Sequence, residues 1–377
     1  MSRINVMKPW LGADEVAAVT SVIESGWIAQ GPRVTEFENA FADAMTAEHA
    51  VALSNCTTAL HLSLVLAGIG PGEDVVVPSL SFIATANAAV YAGARPVFAD
   101  VDPATGNVTA ETLKAALTPA TRAVIAVDQG GVPVDLVPIR QLCDPMEIIV
   151  IEDAACGAGS RYRGQPVGAG ADLAVWSFHP RKIITTGEGG MLTTNRAEWS
   201  ERVRRLREHG MSVGAEERHR STLPPAEQYL EVGYNYRMTD LQAAIGLVQL
   251  SKLDQVISRR RELAAGYQRQ LADVPGLRCV SDPADGKSNY QSFWVEVGPE
   301  YPLERDQLLE KLATEDISAR RGIMAAHRHP AYANRDYGNA ALSVTEHLTD
   351  NTLILPLYHE MTAAEQQRVI DVLVQSH

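Results

Sequence analysis

The run Ser177-Phe-His-Pro-Arg-Lys-Ile-Ile-Thr-Thr-Gly-Glu-Gly-Gly190 sets one lysine, Lys182, between a serine hydroxyl and a glycine-rich turn. Such a placement suits an amine that attacks a carbonyl. Upstream, residues 173–178 form a short apolar run closed by His179-Pro180, which predicts a buried strand. Lys182 then falls just past a strand end, where open parallel sheets gather ligands. Gly187, Gly189 and Gly190 permit a tight turn before a second apolar run at 191–194. A lysine desolvated there, near other cations, is expected to lose its proton close to neutral pH. A surface lysine in a glycine loop fits this segment alone about as well, so other segments must decide.

Two other strand ends carry chemistry. Met146-Glu-Ile-Ile-Val-Ile-Glu-Asp153 is an apolar strand that stops at two carboxylates, followed by Ala154 and Ala155. Asp153 can cap a following helix, or it can pair with a pyridine ring nitrogen and keep it protonated as an electron sink. Ser54-Asn-Cys-Thr-Thr-Ala59 follows a strand at 49–53 and opens an apolar helix. The free N–H groups and positive dipole end of such a helix suit a phosphate, with Cys56 and Thr57 as backbone donors and the Thr57 hydroxyl as another. Capping by Ser54 or Thr57 explains that segment almost as well. Taken together, a phosphate cradle, an acid for a ring nitrogen and a lysine near a hydroxyl specify pyridoxal 5'-phosphate.

These groups need a scaffold that brings strand ends together. Strand-like runs at 49–53, 74–77, 96–101, 122–127, 148–151 and 173–178 alternate with helix-like segments, which predicts an α/β fold with a mostly parallel sheet. A helix at 13–25 has Val16, Val19 and Ile23 as its apolar stripe and Gly26 as its stop. Another, at 239–253, has Leu241, Ala244, Ile245 and Val248. Beyond it come a charged helix at 254–273, a Pro275-Gly276 turn, a strand at 291–297 and a helix at 303–312. A final helix opens with the Thr362/Glu365 capping box and buries Val369, Ile370 and Leu373. The expected organisation is a large cofactor-binding domain over 1–253, with an N-terminal arm at 1–12, and a smaller C-terminal α+β domain over 254–377.

Composition narrows the partners. A net charge of -13 over 377 residues argues against a nucleic-acid surface, which needs clustered cations. Cys56, Cys143, Cys156 and Cys279 lie far apart without zinc spacing, which fits a reducing cytoplasm. No run of 18 apolar residues and no leader-like amino terminus is present, so no membrane partner is expected. His327-Arg-His329 lacks acidic or thiol partners at ligand spacing and predicts no metal site.

Ser-Asn-Cys-Thr-Thr-Ala-Leu-His, Glu-Asp-Ala-Ala, the Lys182 segment, and Gly233-Tyr-Asn-Tyr-Arg-Met-Thr-Asp240 together resemble the sugar aminotransferases of the DegT/StrS family. Ser25-Gly-Trp-Ile-Ala-Gln-Gly-Pro32 and Pro78-Ser-Leu-Ser-Phe-Ile-Ala-Thr85 extend the likeness, which runs from about Pro9 to the last helix. The resemblance implies fold type I of the pyridoxal-phosphate-dependent transferases and a homodimer with shared active sites. It makes Lys182 the residue that binds the cofactor covalently and moves the proton. Asp153 would bind the ring nitrogen, Ser177 and Thr57 the phosphate, and Phe82 the ring face. Asn235 would reach the phosphate from the other subunit. Trp27, Arg321 and His327 fall where the family lines its substrate entrance. The implied reaction moves an amino group from glutamate to a keto-sugar nucleotide. A glutamine-dependent keto-cyclitol aminotransferase shares every cofactor residue, and a regulatory protein of the same fold is the non-enzymatic alternative. A lyase would need a mobile thiol, and the only cysteine after Lys182 is Cys279.

Three positions depart from the family pattern. Cys156 stands where Gln or His usually bonds the ring oxygen, Cys56 where Gly is usual, and Asp128 where His often follows the strand. Lys182 itself argues against the family's dehydratases, which commonly carry His there.

Overall fold

The computed structural model describes residues 3–214, 226–338 and 340–375. The apolar runs become one seven-stranded sheet: β1 (His49–Leu53), β2 (Asp74–Pro78), β3 (Arg95–Ala99), β4 (Thr121–Val127), β5 (Ile149–Asp153), β8 (Leu173–Ser177) and β9 (Gly190–Thr194). A short hairpin, β6 (Arg161–Tyr162) and β7 (Gln165–Pro166), intervenes outside it. The order is β1-β9-β8-β5-β4-β2-β3, and every pairing that does not involve β9 is parallel. Val76, Val77, Val124, Ile125, Val150 and Ile151 are fully buried, so both faces of the sheet are covered. This is the expected mostly parallel α/β architecture.

The strand ends differ from the sequence reading by a residue or two, and one difference matters. β5 continues past Ile151 through Glu152 and Asp153, because both stay in register with Ala126 and Val127 on β4 and with Ala174 and Val175 on β8. The two carboxyls are therefore strand residues with fixed, opposite side-chain directions.

Four helices follow early in the chain: α1 (Ala13–Ser25), α2 (Pro32–Met45), α3 (Cys56–Leu66) and α4 (Ala84–Tyr91). α1 has the predicted limits and the left-handed Gly26 cap, but not the predicted buried stripe. Val16 and Ile23 are 67% and 60% exposed, while Glu15 and Val22 are buried. Polar contacts set the helix rotation: the Glu15 carboxylate turns inward to Lys252 Nζ at 2.6 Å and Gln249 Nε2 at 2.8 Å. The helix Asp240–Ser251 packs on α1 and α2 through Ala243, Ala244 and Gly246, leaving Leu241, Ile245 and Val248 half-buried. Small residues win that face because they allow close helix approach.

A second, antiparallel sheet has the order β10 (Leu277–Cys279), β12 (Phe293–Val297), β14 (Thr352–Leu355), β13 (Arg320–Arg321). Helices Leu253–Leu271, Arg305–Thr314 and Ala363–Gln375 close its core around Leu263, Tyr267, Phe293, Leu308, Leu353 and Ile370. The capping box forms as predicted: Thr362 N donates to Glu365 at 2.8 Å and Glu365 N to Thr362 at 3.2 Å. The start of the N-terminal arm joins this core through Ile4 and Met7, while Trp10 packs into the core beside the first sheet. Ile4 is fully buried and pairs with the backbone of Asp316 and Ser318. Strand β11 (Gly286–Lys287) pairs with β6 and ties the two halves together.

Candidate active site

The sheet register brings the chemical strand ends side by side. Ser177 pairs with Gly190, and Gly190 with Leu53, so the end of β8, the start of β9 and the end of β1 lie level. Asp153 lies opposite Val175 on the next strand. After β1 the chain turns straight into α3, where Asn55 Oδ1 caps Thr58 N at 2.9 Å. This leaves the first two helical N–H groups, of Cys56 and Thr57, without intrahelical acceptors. Gly190 is needed for that turn, since a Cβ there would lie 2.4–2.6 Å from Asn55 C, Asn55 O and Cys56 N.

Lys182 reaches this level from a loop braced by its own threonines. Thr185 Oγ1 donates to Phe178 O at 2.8 Å, Thr186 Oγ1 to Glu188 O at 2.7 Å, and Lys182 N to His179 O at 2.8 Å. Its Nζ sits 3.1 Å from Cys156 Sγ. Asp153 is buried and accepts from Thr85 Oγ1 at 2.9 Å and Ala155 N at 3.2 Å. Burial pushes the Asp153 carboxyl above its ordinary range, against the opposing pull of the Thr85 hydroxyl, the Lys182 charge and the Ala155 N–H. Cys56 belongs to the same cluster: burial and then Asp153 push its thiol well up, against Lys182.

The protonation expected of Lys182 is corrected here. Burial by itself lowers the ammonium, but Cys156, Cys56 and Asp153 outweigh it and hold the free amine above its ordinary value. The neighbours are a carboxylate and thiols where cations were expected.

The structure thus gathers Lys182, Asp153, Cys156 and Cys56, with Thr57 and Ser177 half-buried at the same strand-end level. Phe82 lies in the loop after β2 and is 64% exposed. Asn235 is exposed and bridges Glu208, while its neighbour Tyr236 accepts from Ser54 N at 2.8 Å. Trp27 donates its Nε1 to Gln30 O at 3.0 Å. The other two entrance residues are engaged elsewhere. Arg321 is held by Asp306 at 2.8 Å. His327 is buried between Ser79 Oγ at 2.7 Å and Glu346 Oε1 at 3.1 Å, so both ring nitrogens are used. A cavity of about 930 Å³ beside Arg320, Arg321, Met324 and Ala325 does not include Lys182 or Asp153. Burial and then the charge of Arg181 push the Arg320 guanidinium down, which places these two cations near one another.

Sequence reasoning missed Thr85 and Asn289. Thr85 had a signal, a hydroxyl in the first turn of α4 just beyond the end of β2. Asn289 had none. Its Nδ2 donates to Cys156 O at 2.7 Å and Ala158 O at 2.9 Å, so the loop between β11 and β12 fixes the turn that presents Cys156.

The donor set fits pyridoxal 5'-phosphate. A buried carboxylate with two donors and a cation suits a ring nitrogen, a helix start with two open N–H groups suits a phosphate, and one lysine lies between them.

Residues 9–374 match the DegT/DnrJ/EryC1/StrS aminotransferase family. Among solved structures, the chain is similar to the aminotransferase TlmJ from Streptoalloteichus hindustanus, at 38% identity and a TM-score of 0.91, covering 99% of this chain and 98% of that one. DesV of S. venezuelae is 30% identical with a TM-score of 0.91, covering 100% and 98%. Helicobacter pylori PseC, an aminotransferase involved in the biosynthesis of pseudoaminic acid, is 26% identical with a TM-score of 0.92, covering 100% and 99%.

Proposed function

This chain belongs to the DegT/DnrJ/EryC1/StrS aminotransferase family and is a pyridoxal-phosphate-dependent sugar aminotransferase; from that premise we propose that it moves an amino group from glutamate to a keto-sugar nucleotide. The observation that carries the reading is the meeting of Asp153, Lys182 and the α3 N-terminus at one level of the sheet. Kinship to TlmJ, DesV and PseC supports a sugar acceptor.

When bound, the cofactor supplies an electron sink for a carbanion. The protein's own groups do the rest. Asp153 holds the ring nitrogen protonated, with Thr85 keeping the carboxylate aimed. The N–H groups of Cys56 and Thr57, with the hydroxyls of Thr57 and Ser177, bind the phosphate. Lys182 Nζ would be the group that takes the proton from the amino-acid carbon and gives it to the cofactor, and the reverse in the second half-reaction. Cys156 sits 3.1 Å from that nitrogen and offers only a weak donor where an amide or imidazole is usual in the family. Phe82, open to the surface in the loop after β2, would cover the ring face.

The working unit in this reading is a homodimer. Asn235 is exposed on its own subunit and reaches the phosphate of the partner, and the bared Val16 and Ile23 of α1 join other exposed apolar residues that a second copy would cover. The large domain spans 1–253, with residues 1–12 as its N-terminal arm, and the small one 254–377; Ile4 and Met7 of the arm reach into the core of the small one, while Trp10 packs on the large one. Arg320 and Arg321, which line the cavity of about 930 Å³, are the cations offered to an anionic substrate, and Arg181 adds its charge beside Arg320. Four free cysteines fit work in the cytoplasm.

Assay of the purified protein with glutamate and glutamine against keto-sugar nucleotides and inosose-type ketones tests the reading. Turnover of glutamate with a keto-sugar nucleotide supports it, and turnover restricted to glutamine with a keto-cyclitol overturns it.

A further inference from the structure

Asp128, Glu152 and Asp153 crowd three carboxyls into the buried ends of two neighbouring strands. Val127 is in register with Asp153, so Asp128 follows immediately beside it, and Asp128 N donates to Asp153 O at 3.2 Å. Their exposures are 0%, 2% and 4%. Asp128 has carboxyls of β5 as buried neighbours, so these groups cannot all be ionised together and one or more must keep a proton.

The hydrogen-bond donors decide which. Asp153 accepts from Thr85 and Ala155 and has the Lys182 ammonium nearby. Glu152 accepts from Gly168 N at 2.9 Å and lies within hydrogen-bonding reach of the Asp128 carboxyl. Asp128 Oδ1 accepts from Val134 N at 2.9 Å, but Oδ2 is buried and has no donor at all. The turn at Gly157 closes over that oxygen, and a Cβ there would lie 2.6 Å from it. An ionised Oδ2 would face no hydrogen, whereas a protonated one has Glu152 as its acceptor.

We propose that Asp128 is a positioning residue of the site: it keeps a proton and donates it through Oδ2 to Glu152, confining negative charge at these strand ends to Glu152 and Asp153. The statement that Asp153 serves the cofactor rests on the function proposed above, but the proton on Asp128 does not. Where the family often has His, this chain reaches a comparable end with an acid, since a protonated carboxyl is likewise a donor to Glu152. The titratable groups that face Asp128 are Glu152 and Asp153 from β5 and Cys156 from the turn beyond it. After burial, all of these push the Asp128 proton on more firmly, and no cation is among them.

Burial also raises the Glu152 carboxyl, to about 7. In the folded chain Asp128 keeps its proton and Glu152 keeps one up to about pH 7, where the unfolded chain has released both; above that pH Glu152 is the anion that accepts from Asp128. Their contribution to stability is therefore most favourable below the ordinary carboxyl range and declines as pH rises through about 7, continuing while Asp128 stays protonated.

Infrared difference spectra of the cofactor-free full chain at mildly alkaline pH test the proposal directly. The C=O stretch of a protonated carboxylic acid is expected in the wild type, absent from Asp128→Asn, and retained in Asp153→Asn. Asp128→Asn keeps a donor to Glu152, so its melting temperature should fall less than that of the wild type between about pH 6 and about pH 9. Asp128→Ala, which strips Glu152 of its donor, should melt well below both. A wild type lacking the band, a band that survives Asp128→Asn, or an Ala variant as stable as the Asn variant overturns the proposal. If Asp128→Asn does not fold, Glu152→Gln is the substitute: it changes the acceptor and should move the band, and an unmoved band contradicts the pairing. None of these readouts depends on cofactor attachment, so a failure of the functional reading would be seen separately.

Discussion

Thr85 donates its hydroxyl to Asp153 across 2.9 Å, joining the first turn of α4 to the end of β5 inside the protein. Ser81 Oγ stands 2.9 Å behind Thr85 Oγ1, so the carboxylate that meets the ring nitrogen is aimed by a chain of hydroxyls.

Removing that donor at constant shape tests the chain. A hydrogen bond to a charged group is worth about 1.5–3 kcal/mol, so Thr85→Val should weaken cofactor binding roughly ten- to a hundredfold. Titration of the cofactor-free enzyme, followed by the cofactor's visible absorbance, measures this. Unchanged affinity would show that Asp153 is held by other means.

The free Lys182 amine carries a pH prediction with a definite sign. Because Cys156 and its neighbours hold its ammonium above the ordinary value, labelling of Lys182 in the cofactor-free enzyme by a small amine-directed aldehyde, which lacks the phosphate and ring nitrogen that the site binds, should have its midpoint above that of an ordinary lysine. In Cys156→Ala burial remains while its chief opponent is gone, so the labelling curve should move to lower pH. Mass spectrometry of the Lys182 peptide across pH reads both, and a curve that moves upward contradicts the assignment.

Gly190 should tolerate no side chain. An added Cβ would enter the Asn55–Cys56 backbone, and overpacking of this kind costs about 1–3 kcal/mol. Gly190→Ala is expected to lower both the melting temperature and phosphate affinity, because the strand it displaces props the helix start. Loss of stability with phosphate binding intact would separate the two roles.

How much of this was legible beforehand follows from where each signal sits. Lys182, Asp153 and Thr57 lie at strand ends, and strands covered on both faces read as unbroken apolar runs, so their places could be foreseen. The rotation of α1 could not, because it depends on Lys252 and Gln249, more than two hundred residues away, pulling Glu15 inward. His327 looked like an entrance residue for the same reason. Its partners Ser79 and Glu346 are distant in sequence, and only folding reveals that they occupy both nitrogens. The cations expected around Lys182 turned out to be thiols and a carboxylate, since local spacing says nothing about which strand end comes to lie opposite.

A long-range contact also holds the Gly233–Asp240 segment, and with it Asn235. Asp240 accepts from Gly31 N at 2.8 Å, Val34 N at 3.0 Å and Arg33 N at 3.1 Å, capping α2, whose own cap residue has no side chain. Asp240→Ala should cost about 1–2 kcal/mol of stability, as for a lost N-cap. If Asn235 serves the partner subunit, the same variant should loosen the dimer, which sedimentation would detect. A fully stable, unaltered variant would contradict the role given to Asp240.

The central claim is that Lys182 is the residue that binds the cofactor covalently. Loading the enzyme with pyridoxal 5'-phosphate, reducing with borohydride and mapping the peptides measures this directly. The cofactor mass is predicted on Lys182 alone and absent from Lys182→Ala. Its appearance on Lys8, Lys114, Lys252, Lys287 or Lys311, or on no lysine, would contradict the account.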